Sequence, residues 1–202
     1  GFARVPIVPA AVIFDLGLGR SDIRPDHQMG YQACIQAGKS PIQQGNVGAG
    51  IGASVGKILG MQQATKSGLG SASVSISNGL VVGALMVVNA FGEVVDPHNG
   101  KILAGVSNIQ EGTDTSHPGQ IFIPTLTIMA SYASQKPISL GQQPNTVIGV
   151  VATNATLTKE QANLVAQMAQ DGVARCIQPA HTLLDGDTLF AVSTGGRETD
   201  IN

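Results

Sequence analysis

Tryptophan is absent and aromatic residues make up only 3% of the 202-residue chain, so Val, Ile, Leu and Ala must fill any core. Charge is equally sparse. Only 12% of residues are charged and the formal net charge is -2, with no basic stripe or run suited to nucleic acid or anionic lipid. No apolar run reaches the length of a membrane span. The first residues show no basic segment followed by an apolar stretch and a cleavage site, so no secretory signal is expected. Cys34 and Cys176 stand far apart without Cys-x-x-Cys spacing, which predicts buried free thiols in a reducing, cytoplasmic setting rather than a disulfide. His98 and His117 lie in polar, Gly-rich sequence, and neither has a second ligand at metal spacing. There is no Gly-x-Ser-x-Gly elbow, no His-Glu-x-x-His and no context for a nucleophilic cysteine. No metal, cofactor, nucleic acid or membrane partner is therefore expected.

What is present suits a single α/β domain over residues 1–202. Val5-Pro6-Ile7-Val8-Pro9 predicts an irregular edge, and Ala11 to Gly17 a short strand ending in a Gly17/Gly19 loop. Pro25 and Asp26 can open a helix through about Gln36, with Met29, Ala33 and Cys34 on its apolar face and Gly38 as its stop. Ser73 to Ser77 alternates like a half-buried strand. Leu80 to Asn89 is nearly continuous and apolar, as in a central strand, and a turn at Phe91-Gly92 returns through Glu93 to Asp96. Asp96 to Gln120 predicts a solvated loop. Ile121 to Met129, interrupted by Pro124, suits either a strand or a helix. Thr158-Lys159-Glu160-Gln161 is a capping box that opens a helix over about 159–177. Val165, Ala169, Val173 and Ile177 recur along it every four residues, with Leu164 and Met168 alongside, and Gln178-Pro179 ends it.

Chemistry has few candidates. Glycine, at 26 residues, clusters between Gly45 and Gly60, which suits close backbone packing or a site better than a linker. The cluster is not a Walker A loop, because Ile51 stands five residues before Gly56 and Ile58 takes the place of the Mg²⁺-binding hydroxyl. A loose Gly48-x-Gly50-x-x-Ala53 match keeps a non-catalytic, ligand-binding role for this loop as an alternative. Lys57 is an isolated charge within the segment. Asn89, at the end of an apolar strand, has an amide that must find partners and can donate to a developing oxyanion. Asp185 and Asp187 flank Gly186; they suit a hairpin-type turn or, if extended, a pair of carboxylates aimed the same way at a cation. A loop-like run through Gln135-Lys136-Pro137 and Gly141 to Pro144 stops at Asn145-Thr146, and a buried strand begins. Thr146 is either the turn residue that starts this strand or a nucleophile freed when the chain cuts itself before it. In the second case its own α-amine serves as base.

Val5 to Asp15, Gly45-Asn46-Val47-Gly48-Ala49-Gly50, Gly56-Lys57, Val88-Asn89-Ala90-Phe91-Gly92, Asn145-Thr146 and Asp185-Gly186-Asp187-Thr188 occur in order. Together they resemble the self-cleaving L-aminopeptidase/D-esterase family, which includes β-aminopeptidases and nylon-oligomer hydrolases. The resemblance runs through nearly the whole chain. It implies a four-layer α/β/β/α sandwich of the N-terminal-nucleophile-hydrolase type, shared with ornithine acetyltransferase. It also implies self-cleavage at Asn145–Thr146 into associated pieces 1–145 and 146–202, and a homotetramer. The family's nucleophile falls on Thr146, its site lysine on Lys57, its site asparagine on Asn89 and its paired acids on Asp185 and Asp187. The implied substrates are short peptides, β-amino acid peptides or nylon-like ω-amino acid oligomers; acyl transfer of the ornithine acetyltransferase type is the alternative reaction. Two departures stand out. Phe14 replaces a tyrosine that some members use at the oxyanion, and much of the family's N-terminal region and part of its C-terminus have no counterpart here.

Overall fold

In the computed structural model, which describes residues 2–76, 79–108, 122–133 and 145–198, the two longest apolar runs lie side by side in one sheet. The elements in chain order are α1 (His27–Gln36), a 3₁₀ turn (Gly48–Gly50), β1 (Ser54–Val55), β2 (Thr65–Lys66), β3 (Leu69–Ile76), β4 (Leu80–Asn89) and β5 (Glu93–Val95). There follow β6 (Ile102–Ala104), β7 (Val106–Ser107), β8 (Phe122–Ile123), α2 (Thr125–Ala133), β9 (Thr146–Ala155), α3 (Lys159–Cys176), β10 (Ile177–Gln178) and β11 (Thr188–Arg197). The fold is α/β, as the sequence predicts.

The main sheet runs β11-β9-β4-β3, with β9 parallel to β11 and antiparallel to β4. A parallel neighbour needs a crossover, and α3 supplies it, packing on β11 and β9. The capping box forms as read. Thr158 Oγ1 accepts from the Gln161 N–H at 3.2 Å, and Gln161 Oε1 accepts from the Thr158 N–H at 2.8 Å. Val173 and Ile177 meet Val55, Ala90 and Val147 in one buried cluster, so the start of β9 is anchored in the core. Burying each such Val or Ile stabilises by roughly 1.5–3 kcal/mol. A smaller sheet, β10-β5-β6, and the pairs β1-β2 and β7-β8 flank it.

Several expectations need correction. Val5 to Pro9 is irregular as expected, with Pro6 and Pro9 lacking ladder donors, but Ala11 to Gly17 forms no strand, and residues 2–26 are mostly exposed. α1 starts at the Asp26 cap, which accepts from Met29 N–H at 2.8 Å, and ends at Gln36 as expected, but it buries none of its residues. Cys34 is consequently exposed rather than buried, while Cys176 is half-buried; both are free. β3 forms where expected, yet its second half is exposed because it is the sheet edge. Leu164 and Met168 sit on the outer flank of α3, more than half exposed. The polar loop after Asp96 contains β6 and β7, strands too short to carry a period. Pro124 separates β8 from α2, so both readings of that stretch apply to part of it. His98 is exposed, whereas His117 and the run from Gln135 to Pro144 lie outside the described residues. No helix among the described residues is long and apolar enough to cross a membrane.

Candidate active site

Thr146 is the first residue of β9, and the β4–β9 register places Asn89, the last residue of β4, directly opposite it. Both are buried, Asn89 at 1% and Thr146 at 9% exposure. On the other side, Asn145 bridges in parallel to Asp185 with the same offset that pairs Ile148 with Thr188. Asp185-Gly186-Asp187 is therefore not a hairpin turn. It is an extended approach to β11, with the Asp187 carboxylate on the start of β9 and the Asp185 carboxylate on the chain just past β4. Asp187 Oδ1 accepts from the Val147 N–H at 2.8 Å, and Asp185 Oδ1 from the Phe91 N–H at 3.1 Å.

Lys57 reaches the site from the glycine-dense loop. Gly56 before it has φ +70, and a Cβ there would come within 2.3 Å of the Gly105 carbonyl carbon, so only glycine permits this approach. The ammonium of Lys57, 6% exposed as a residue, donates to Asn89 Oδ1 at 2.6 Å and Asn89 O at 3.1 Å. Burial lowers its pKa to about 8, against the opposing pull of the Asp185 and Asp15 carboxylates. The Asn89 side chain is thus an anchor: Oδ1 also accepts from the Ser54 N–H at 3.1 Å, and Nδ2 faces the Phe14 carbonyl at 3.5 Å. Phe14 contributes that carbonyl, while its side chain is half exposed.

The five residues singled out from sequence converge on one point. Lys57 touches Asn89, Asn89 faces Thr146, Asp185 acts on Lys57 through its charge, and Asp187 holds the backbone next to Thr146. The Thr146 hydroxyl lies 2.5 Å from the Asn145 carbonyl oxygen. That same oxygen accepts from the Gly186 N–H at 2.8 Å.

One participant escaped sequence reading. His181 places Nδ1 2.7 Å from Asp187 Oδ2 and Nε2 3.3 Å from the Gln170 carbonyl, so both ring nitrogens face acceptors. It does so from φ +53, a conformation rare for histidine. A lone His six residues before Asp187 gave no spacing signal. A cavity of about 290 Å³ opens here, lined by Gln170, His181, Thr182, Asp185 and Asp187. A second, of about 500 Å³, lies by Asp15, Ile23, Ile51 and Lys66. Among the described residues, no three His, Cys, Asp or Glu side chains stand where they could hold a metal ion.

Known proteins resemble this chain over nearly all of it. The sequence profile of peptidase family S58 matches residues 2–201. An uncharacterized aminopeptidase of Mycobacterium leprae (strain TN) is 42% identical over 202 residues, 96% of this chain and 51% of that protein. A 6-aminohexanoate-oligomer endohydrolase of Paenarthrobacter ureafaciens is 32% identical over 194 residues, 96% of this chain and 52% of that protein. The chain spans about half the length of these curated relatives. Among solved structures, the PH0078 protein from Pyrococcus horikoshii OT3 superposes with a TM-score of 0.51 at 26% identity, covering 87% of this chain and 39% of that one.

Proposed function

As the chain belongs to peptidase family S58, we propose that it is a self-processing hydrolase of amide bonds with Thr146 as nucleophile. The observation that carries this reading is the buried Thr146 at the first position of β9, directly opposite Asn89, whose side chain holds the Lys57 ammonium. Thr146 Oγ1 attacks the Asn145 carbonyl carbon, the Asn145–Thr146 C–N bond breaks, and the hydroxyl proton ends on the departing nitrogen. Water hydrolyses the resulting ester, leaving a carboxylate on Asn145 and a free α-amine on Thr146. An α-amine with a reference pKa of about 7.7–8.0 can then act as general base for Oγ1 when an outside amide binds. Lys57, with a pKa of about 8, is matched to relay a proton at neutral pH. Asn89 fixes Lys57, Asp185 stabilises its charged form, and Asp187 steadies the strand start.

The relatives named aminopeptidase and 6-aminohexanoate-oligomer endohydrolase support short peptides or ω-amino acid oligomers as substrates. Pairing of β9 with β4, which belong to different pieces, supports pieces that stay associated after the cut.

Intact mass of purified protein tests the proposal. Wild type is expected to give two fragments divided before Thr146 and to hydrolyse members of a panel of p-nitroanilides and ω-amino acid oligomers; Thr146→Ala is expected to stay whole and inert. An uncut wild-type chain active on amides would sink the self-processing mechanism. Acetyl transfer from acetylornithine to glutamate without hydrolysis would move the reaction to acyl transfer.

A further inference from the structure

We propose that the backbone N–H of Gly186 is the oxyanion donor for the cut at Asn145–Thr146. The inference rests on the self-cleavage reading and names the group that stabilises the charge formed in it. When Oγ1 adds to the Asn145 carbonyl carbon, the electron pair of the C=O bond moves onto the oxygen. The Gly186 N–H already donates to that oxygen at 2.8 Å in the uncut peptide, and keeping this bond as charge develops is the role assigned to it.

The bond is the rung of the isolated parallel Asn145–Asp185 bridge, which stands apart from the main ladder. Regular pairing of β11 with β9 begins only at Thr188–Ile148. The next N–H of β9, on Val147, turns to the Asp187 carboxylate instead of continuing the backbone pattern. The Gly186 carbonyl accepts from the Thr188 hydroxyl at 3.2 Å. Gly186 is thus held from both sides: Asp185 is tied to the Phe91 N–H and Asp187 to the Val147 N–H. A donor pinned in this way needs no reorganisation as charge develops, which is what makes it effective.

A Cβ at 186 would lie 3.3 Å from Thr146 Oγ1, a tight contact with the attacking atom, and 3.7 Å from the Asn145 oxygen, an ordinary one. The other candidates point elsewhere. Phe14 has no hydroxyl to donate, and Asn89 Nδ2 faces the Phe14 carbonyl.

The test replaces Gly186 by glycolic acid, which turns the 185–186 amide into an ester and removes only the N–H. An equivalent ester at Phe190, further along the same strand, controls for losing a backbone donor. Cleavage is followed by intact mass in freshly translated chain. The Phe190 ester is expected to cut at close to the wild-type rate and the Gly186 ester about 100- to 1,000-fold more slowly, the usual loss for one oxyanion donor. Equal rates for the two esters, with wild type cut, overturn this inference alone; a wild type that stays whole overturns it together with the self-cleavage reading. Should the Gly186 ester fail to fold, the uncut Thr146→Ala chain carrying a ¹³C=¹⁸O label at Asn145 decides. Its carbonyl stretch is expected below that of an unbonded buried amide, and a stretch at the unbonded frequency overturns the proposal.

Discussion

Lys57 holds its place against a cost that pH can remove. Its folded-state pKa is about 8 against an ordinary value of 10.5, because burial outweighs the attraction of Asp185 and Asp15. The sign follows from proton binding. Below pH 8 the ammonium is charged in both folded and unfolded chains, and the folded state bears the full penalty of burying it. Between pH 8 and 10.5 the unfolded chain binds more protons, so stability rises with pH across that window. Urea midpoints of the uncut Thr146→Ala chain are therefore expected to climb from pH 8 to pH 10, and the climb is expected to vanish in the same chain carrying Lys57→Met. A midpoint that falls over this range with Lys57 present would contradict the buried ammonium. The rate of self-cleavage in the wild type is expected to rise around pH 8 and level off above it, since only neutral Lys57 can take up a proton.

Element by element, what could be read in advance was what local chemistry decides. α3 carried its own start signal, and the reciprocal bonds between Thr158 and Gln161 are present. Thr158→Ala is expected to cost about 1 kcal/mol of stability, measured by urea unfolding of the uncut Thr146→Ala chain. A loss below a few tenths would mean that packing on β9 and β11 alone defines the helix start. β4 and β9 were legible because short, uncharged runs rich in β-branched residues and bounded by turn residues favour a strand over a helix. The Asp185-Gly186-Asp187 segment was not, because Asp-Gly favours turns locally and only pairing with Asn145, 40 residues away by the strand register, draws it straight. His181 was invisible for the same reason. Its partners, Asp187 and the Gln170 carbonyl, come together only once α3 and β11 are packed. The N-terminal stretch misled in the other direction: Ala11 to Phe14 has the composition of a strand but pairs with none.

At the scale of the whole molecule, the core and the first 26 residues differ in kind. β4 pairs along its length with β9 and β3, and β9 along most of its length with β11. Residues 2–26 form neither helix nor strand, and Phe2, Val5, Ile7, Val8 and Val12 are open to solvent. Leaving such side chains exposed forgoes roughly 1.5–3 kcal/mol each. A homotetramer, the assembly implied by the family resemblance, would have reason to cover them. Hydrogen exchange read beside native mass separates the two situations. In a monomeric chain, amides of residues 2–14 are expected to exchange at the rates of an unstructured peptide, while those in the middle of β4 and β9 are the slowest. In a species with the mass of four chains, the same N-terminal amides are expected to slow markedly, with β4 and β9 unchanged because their hydrogen bonds are already complete within the sheet. Slow exchange at residues 2–14 in a monomer would contradict the exposed arm. Fast exchange there in a tetramer would show that assembly uses another surface, with the exposed edge strand β3, carrying Val74 and Ile76, the next to be mapped.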